Sequence, residues 1–315
     1  MVKDSSMPSL LDRQMVFVTG KGGVGKSTVA GALGIAASAR GRRTIVCEVG
    51  AQDRLSRAYG RDSAPGEEIE LTEGLSSISI DPHAALGEWL TNQLGSRAIA
   101  RPLMNSTTFQ YFVAAAPGAR EIVTMAKVWE LVQSERWRKQ ARGYELAIVD
   151  APASGHGLGM LMTAKTVADV ARVGPIATQA NRVRELLDNP RRSGYLAVAL
   201  AEEMPITETI ELQARLRGQL GREIEAVVVN GVYPRRFAKA DIDRVVATAG
   251  LDGPLGRAAA RAARFEARRA SDQQAQLRRL RKAAEGDVVT LPYLFEPELV
   301  REDLEGLADE LGRKL

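Results

Sequence analysis

Nine consecutive residues, Gly20-Lys21-Gly22-Gly23-Val24-Gly25-Lys26-Ser27-Thr28, hold the densest chemistry in the chain. Gly20, Gly25, Lys26 and Ser27 occupy the fixed positions of a GxxxxGK[ST] loop lying between an apolar run and a helical pattern. Glycines let the backbone curl so that successive N–H groups face phosphate oxygens. The following helix adds the partial positive charge of its N-terminus. Lys26 is expected along the β- and γ-phosphates, and Ser27 is expected to put its hydroxyl on magnesium. The chemistry implied is the binding of ATP with magnesium and the transfer of its terminal phosphoryl group.

A second constellation begins at Asp150, which ends the apolar run LAIVD. Ligands of open parallel sheets sit at the C-terminal tips of the strands. An aspartate there is placed to hold magnesium through a water, as a Walker B aspartate does. The stretch Ala151 to Gly157 is rich in small residues able to shift backbone when a γ-phosphate arrives, and Gly155 is the candidate N–H donor to that phosphate. His156, with no partnering nucleophile, reads as a loop residue. Asn230 closes another apolar run, and its amide can both donate to and accept from an adenine edge, or it can serve as a turn residue before Gly231.

The elements that must position these groups alternate between strands and helices. Strands are expected from Met15 (MVFVT), Thr44 (TIVCEV), Leu75 (LSSISI), Leu146 (LAIVD), Tyr195 (YLAVAL), Ala226 (AVVVN) and Asp287 (DVVTL). Runs this apolar belong to strands buried on both faces. Some 65 residues between Ile80 and Leu146 contain no strand signal, more than one crossover helix requires. Helical patterns fill the gap: Ala84 to Leu94, Arg97 to Val113 and Arg120 to Gln140, broken at Pro102, Pro117 and Gly118. The expected architecture is an α/β P-loop NTPase. Its mostly parallel sheet would carry helices on both faces within one domain over residues 13–315, with a helical insertion at about 83–142.

The totals narrow the rest. A net charge of +4 is too even to imply nucleic acid, and the Arg-rich stretch from Arg257 to Lys282 has the spacing of a solvated helix. No run is long and apolar enough for stable membrane insertion, and the first residues lack a secretory layout, so a cytoplasmic protein is expected. The single cysteine, Cys47, sits in an apolar run and is expected in the core.

Lys21, directly after the first glycine, makes the loop resemble the deviant Walker A class of dimeric ATPases. That class includes partitioning and division-site ATPases and nitrogenase iron protein. The resemblance implies that Lys21 reaches the partner's nucleotide. Asp150-Ala-Pro-Ala-Ser-Gly-His156 is similar to the D-T-A-P-T-G-H switch of the arsenical-pump and tail-anchored-protein-targeting ATPases. Ile78-Ser-Ile-Asp-Pro82, Pro205-Ile-Thr-Glu-Thr209 and Val228-Val-Asn230 resemble further segments of that family. So does Leu291-Pro292, which places Pro292 and its loop on the adenine side. Glu48 matches an acidic position of related partitioning ATPases, which implies a place near magnesium.

Two departures stand out. The family's first switch reads D-P-A-H-x-L-S-D-A-F, and Gly50 stands here where its water-orienting aspartate would be. Glu48 and Asp53 are the nearest carboxylates. Slow hydrolysis is therefore expected, or hydrolysis in a heterodimer with a paralogous ATPase that supplies an intact switch; a homodimer is the other arrangement. The chain also lacks the CxxC and the cysteine set of metalloid pumps. The residues Ile99, Leu103, Met104, Phe109, Tyr111, Phe112 and Val113 of the helical stretch, with Met125, Val128 and Trp129, are candidates to line a groove for a hydrophobic-helix client, the alternative being that they pack the insertion onto the core. A partitioning-type ATPase acting on membrane or nucleic acid is the competing reading. It is opposed by the acidic polar face of the tail, Glu298 to Leu315.

Overall fold

The computed structural model describes residues 8–50, 53–116, 118–138, 141–171, 173–236, 238, 240–241, 244, 253–296 and 299–315, without the side chains of Phe112 and Ser154. The Ala51 and Gln52 positions of the first switch, the breaker Pro117, the helical limit Gln140 and the tail position Glu298 lie outside the described residues.

Strand β1 (Met15–Thr19) leads through the glycine loop into α1 (Lys26–Ala39). β2 (Thr44–Val49), the short α2 (Arg54–Ala58), β3 (Glu68–Thr72) and β4 (Leu75–Ile80) follow. Four helices then run without an intervening described strand: α3 (Pro82–Leu94), α4 (Arg97–Asn105), α5 (Thr107–Ala115) and α6 (Ala119–Leu131). After β5 (Leu146–Asp150) come α7 (Ser154–Val170), α8 (Pro175–Asp188), β6 (Ser193–Leu200), α9 (Glu203–Leu220) and β7 (Ala226–Val232). The described chain closes with α10 (Pro254–Ala283), β8 (Asp287–Pro292) and α11 (Arg301–Gly312).

The eight strands form one sheet in the order β3-β4-β2-β5-β1-β6-β7-β8. All neighbours are parallel except β3, which pairs antiparallel with β4. Alternate residues of each strand feed opposite faces, as the two-residue strand period demands. Met15 and Phe17 pack with α6 to α9, while Val16 and Val18 pack under α1 and α11. The α/β P-loop NTPase fold stands as expected.

Several details differ from the sequence reading. The sheet has eight strands, not seven; β3, with Glu68 and Glu70 flanking Ile69, is an edge strand whose acidic residues hide it from a search for apolar runs. The stretch from Arg97 to Val113, expected to break at Pro102, does form two helices but parts at Ser106, whose backbone is extended. Pro102 does not part them, since it sits inside the nine-residue α4. In the helix from Arg120, Met125 and Val128 do not line a groove but are buried in the main core against the sheet, and the helix ends at Leu131. There the chain turns inward, with Arg136 buried against Glu130 and Glu68.

Those charges belong to a buried network. Lys127 of α6 pairs with Glu130 at 3.0 Å and with Glu88 of α3 at 2.6 Å. Arg136 reaches Glu130 at 2.5 Å and Glu68 at 2.7 Å. The side chains of Glu130 and Arg136 are wholly excluded from solvent. Charges this deep are tolerated only when paired, so the network fixes α3 and α6 to the edge strand β3.

Candidate nucleotide site

Register places the site. β1 lies between β5 and β6, so the glycine loop leaves the sheet beside Asp150, which sits opposite Val18. On the other side of β5, Glu48 of β2 sits opposite Asp150. The two carboxylates and the loop thus share one end of the sheet, where parallel strands present their ligands.

The loop itself needs its glycines. Gly20, Gly23 and Gly25 have φ of 144°, 81° and 91°. A Cβ on Gly20 would stand 2.2 Å from the Val198 carbonyl oxygen, and one on Gly25 would stand 2.2 Å from Asn230 Nδ2. The first-turn N–H groups of α1 have no intrahelical acceptor and face the loop's interior. Lys26 Nζ donates to the Lys21 carbonyl at 2.9 Å, and Ser27 Oγ donates to Asp150 Oδ2 at 2.5 Å. A cleft of about 480 Å³ opens over these groups, lined by the loop, Asp150 to Ala153, Arg54 and Leu299.

Burial sets the charges. It lowers the Lys26 pKa, although Asp150 opposes that shift, and it raises Asp150 against the Ser27 hydrogen bond and the Lys26 charge. Glu48 is 2% exposed. Burial raises its pKa as well, partly offset by the Arg54 N–H, which donates to Glu48 Oε1 at 3.0 Å. Its other oxygen, Oε2, has no partner. Thr19 Oγ1, at the tip of β1, is also buried and unpartnered. These orphaned oxygens, with the Ser27 hydroxyl and Asp150, form a hard-oxygen donor set that suits magnesium, and the inward-facing backbone suits a polyphosphate.

The other expected residues are spread around this centre. Gly22, Gly23, Gly25, Ser27 and Thr28 line the cleft, while Val24 is buried beneath it. Lys21 points elsewhere, to Glu208 of α9 at 2.6 Å. Gly155 lies in the first turn of α7 and not in an open loop, so its N–H is one of that helix's unpaired donors. His156 is exposed. Asn230 Nδ2 donates to the Val24 carbonyl at 3.1 Å, bracing the back of the loop. Pro292 is exposed at the end of β8. Next to it, Tyr293 stacks on Tyr233 with centroids 4.5 Å apart and lies against Gly231. Asp53, in left-handed backbone at φ 44°, has a buried, unpartnered Oδ1 and opens α2. Gly50 has φ 97°, so a glycine there answers a backbone requirement as well as removing a carboxylate.

Motif reading missed Arg54, and it gave Glu208, within the segment from Pro205 to Thr209, no contact. Arg54 brings a guanidinium within 3.5 Å of Ser27 Oγ, and Glu208 holds Lys21. Both contacts join residues far apart in the chain, and no spacing rule announces them.

A glycine loop before a helix, a carboxylate at the neighbouring strand tip and a parallel α/β sheet define a P-loop ATPase. The chain belongs to the anion-transporting ATPase family, whose model matches residues 13–177. It is 30% identical over 231 residues to the ATPase BagA of Mycobacterium tuberculosis, covering 72% of this chain and 67% of that one. It is 22% identical over 263 residues to the ATPase GET3 of Kluyveromyces lactis, covering 72% of this chain and 74% of the other. Among the described residues, no helix is long and apolar enough to cross a membrane.

Proposed function

We propose that this ATPase is a dimeric nucleotide switch whose ATP-bound state is completed by Lys21 of each subunit acting on the partner's nucleotide. The observation that carries the reading is the joint held by Ser27 and Asp150 beneath a loop that only glycine can trace. In it Lys26 lies along the β- and γ-phosphates, the loop N–H groups hold phosphate oxygens, and Gly155 donates to the terminal phosphate. Asn230 and Pro292 face the adenine. Magnesium, held by Ser27 and by Asp150 through water, would neutralise charge developing on the transferred group. Glu48, with its free oxygen, is the carboxylate left to orient the attacking water, since Gly50 carries none.

Hydrolysis is accordingly slow in a homodimer and faster in a mixed dimer with a paralogous ATPase. The four helices α3 to α6, an insertion at about 83–142 in one domain spanning 13–315, handle the client, a hydrophobic helix. A groove of about 260 Å³ between Leu86, Met104, Phe109, Val113 and Val123 supports this, as does the exposure of Ile99 in α4 and Tyr111 in α5. The membrane-positioning reading loses support because Leu304, Leu307 and Leu311 of the terminal helix are buried in the core.

The test is sedimentation and turnover with MgATP, for the protein alone and with Lys21→Ala. ATP-dependent dimers that Lys21→Ala abolishes are expected. A monomer that hydrolyses ATP equally well with and without Lys21 overturns the dimeric switch. Recovery of a paralogous ATPase from native cells only in the presence of ATP is the outcome expected for the mixed dimer.

A further inference from the structure

Arg54 lies outside the phosphate-binding motif, yet its side chain lines the cleft. Nη1 stands 3.5 Å from Ser27 Oγ, whose hydrogen is given to Asp150. Among the described residues this is the one hydrogen bond of the guanidinium, and it is at the outer limit of such contacts. Its charge acts on both Lys26 and Asp150. Two cations, Lys26 and Arg54, therefore face the Asp150 carboxylate in the cleft. A guanidinium carries five donors in a planar fork and keeps its charge at any physiological pH. Such an excess of donors and positive charge calls for an anion.

The backbone at Arg54 is held by Glu48, so only the side chain is free to swing. A metal bound at the Ser27 hydroxyl would compete with the guanidinium for the same oxygen. The anionic groups then within reach are the oxygens at the far end of the polyphosphate.

We propose that Arg54 is a phosphate ligand acting within its own subunit, which rests beside Ser27 in the free protein and contacts the terminal phosphate of a bound nucleoside triphosphate. The proposal rests on the nucleotide-site reading above. It adds Arg54 to Lys26 and Gly155 as a residue that tells triphosphate from diphosphate, and it supplies to the same subunit positive charge that Lys21 supplies across the dimer.

Titration calorimetry with a non-hydrolysable ATP analogue and with ADP, both with magnesium, tests it on wild type, Arg54→Ala and Arg54→Lys. In Arg54→Ala, analogue affinity is expected to fall about tenfold or more, as for loss of a charge-assisted hydrogen bond. ADP affinity is expected to stay within about twofold, and Arg54→Lys to recover part of the loss. An unchanged ratio of the two affinities overturns the proposal, and so does an equal loss for both ligands, which would move the contact to phosphates they share. Wild-type protein that binds neither nucleotide overturns the site reading itself, and the proposal with it.

Discussion

Lys21 Nζ lies 2.6 Å from Glu208 Oε1, tying the phosphate loop to α9 within one chain. While that bond lasts, Lys21 is unavailable to a second subunit. Both side chains are about one-third exposed, at 36% and 32%, so water and salt weaken the pair. Glu208→Gln is expected to lower the protein concentration needed for ATP-dependent self-association by about two- to fivefold. Sedimentation velocity at fixed ATP reads the midpoint, and an unmoved midpoint would count against the competition.

Asp150 orients the Ser27 hydroxyl from behind, in the manner of a group that aims a metal ligand. Asp150→Asn keeps the shape and loses the charge. The magnesium concentration that half-saturates nucleotide binding is expected to rise about 10- to 100-fold. Metal titrations followed by a fluorescent nucleotide supply the number.

Gly25 combines φ of 91° with an Asn230 amide that would sit 2.2 Å from any added Cβ. Gly25→Ala should cost roughly 1–3 kcal/mol through backbone strain alone. Adding Asn230→Ala removes the clash but not the strain. Denaturant unfolding of the single and double variants should therefore show partial recovery, whereas full recovery would place the whole cost in the clash.

Glu48 is buried with its pKa raised in the folded chain. A raised carboxylate pKa favours the folded state below the ordinary glutamate range, and that contribution is lost as pH rises through the folded value. Glu48→Gln, which keeps the acceptor for the Arg54 N–H, removes this dependence. The variant is expected to melt higher than wild type at neutral pH, with the gap closing as pH falls toward the ordinary glutamate value. A gap that is constant with pH would show that ionisation is not its source.

Glu130 joins Lys127 and Arg136, and its own side chain is fully buried. Glu130→Ala leaves Lys127 with Glu88 and Arg136 with Glu68 but removes the buried carboxylate that joins the two cations, and should cost about 3–5 kcal/mol, seen in thermal or chemical unfolding. A loss below about 1 kcal/mol would mean that water reaches the network.

What could be read in advance was what proximity in sequence encodes. The loop from Gly20 to Thr28 and the strand ending at Asp150 declare themselves because each function sits on one contiguous segment. Glu48 beside Asp150 follows once both strands are placed next to each other, as their register shows. β3 escaped because Glu68 and Glu70 interrupt its apolar residues, and Glu68 is anchored by Arg136 from a segment read as helix. Arg54 and the partner of Glu208 escaped for a different reason: each residue acts through a tertiary contact, Glu208 across 187 positions, that no local pattern specifies.

Cys47 is the chain's single cysteine, and it is completely enclosed between sheet and helices. Burial raises its pKa far above the thiol range, which leaves it in the unreactive protonated form. A second cysteine introduced at an exposed position such as Tyr111 or Val173 would therefore be the one thiol open to maleimide. Spin or fluorescent labels placed in this way can follow subunit approach and helix movement in real time, in protein whose interior needs no prior alteration.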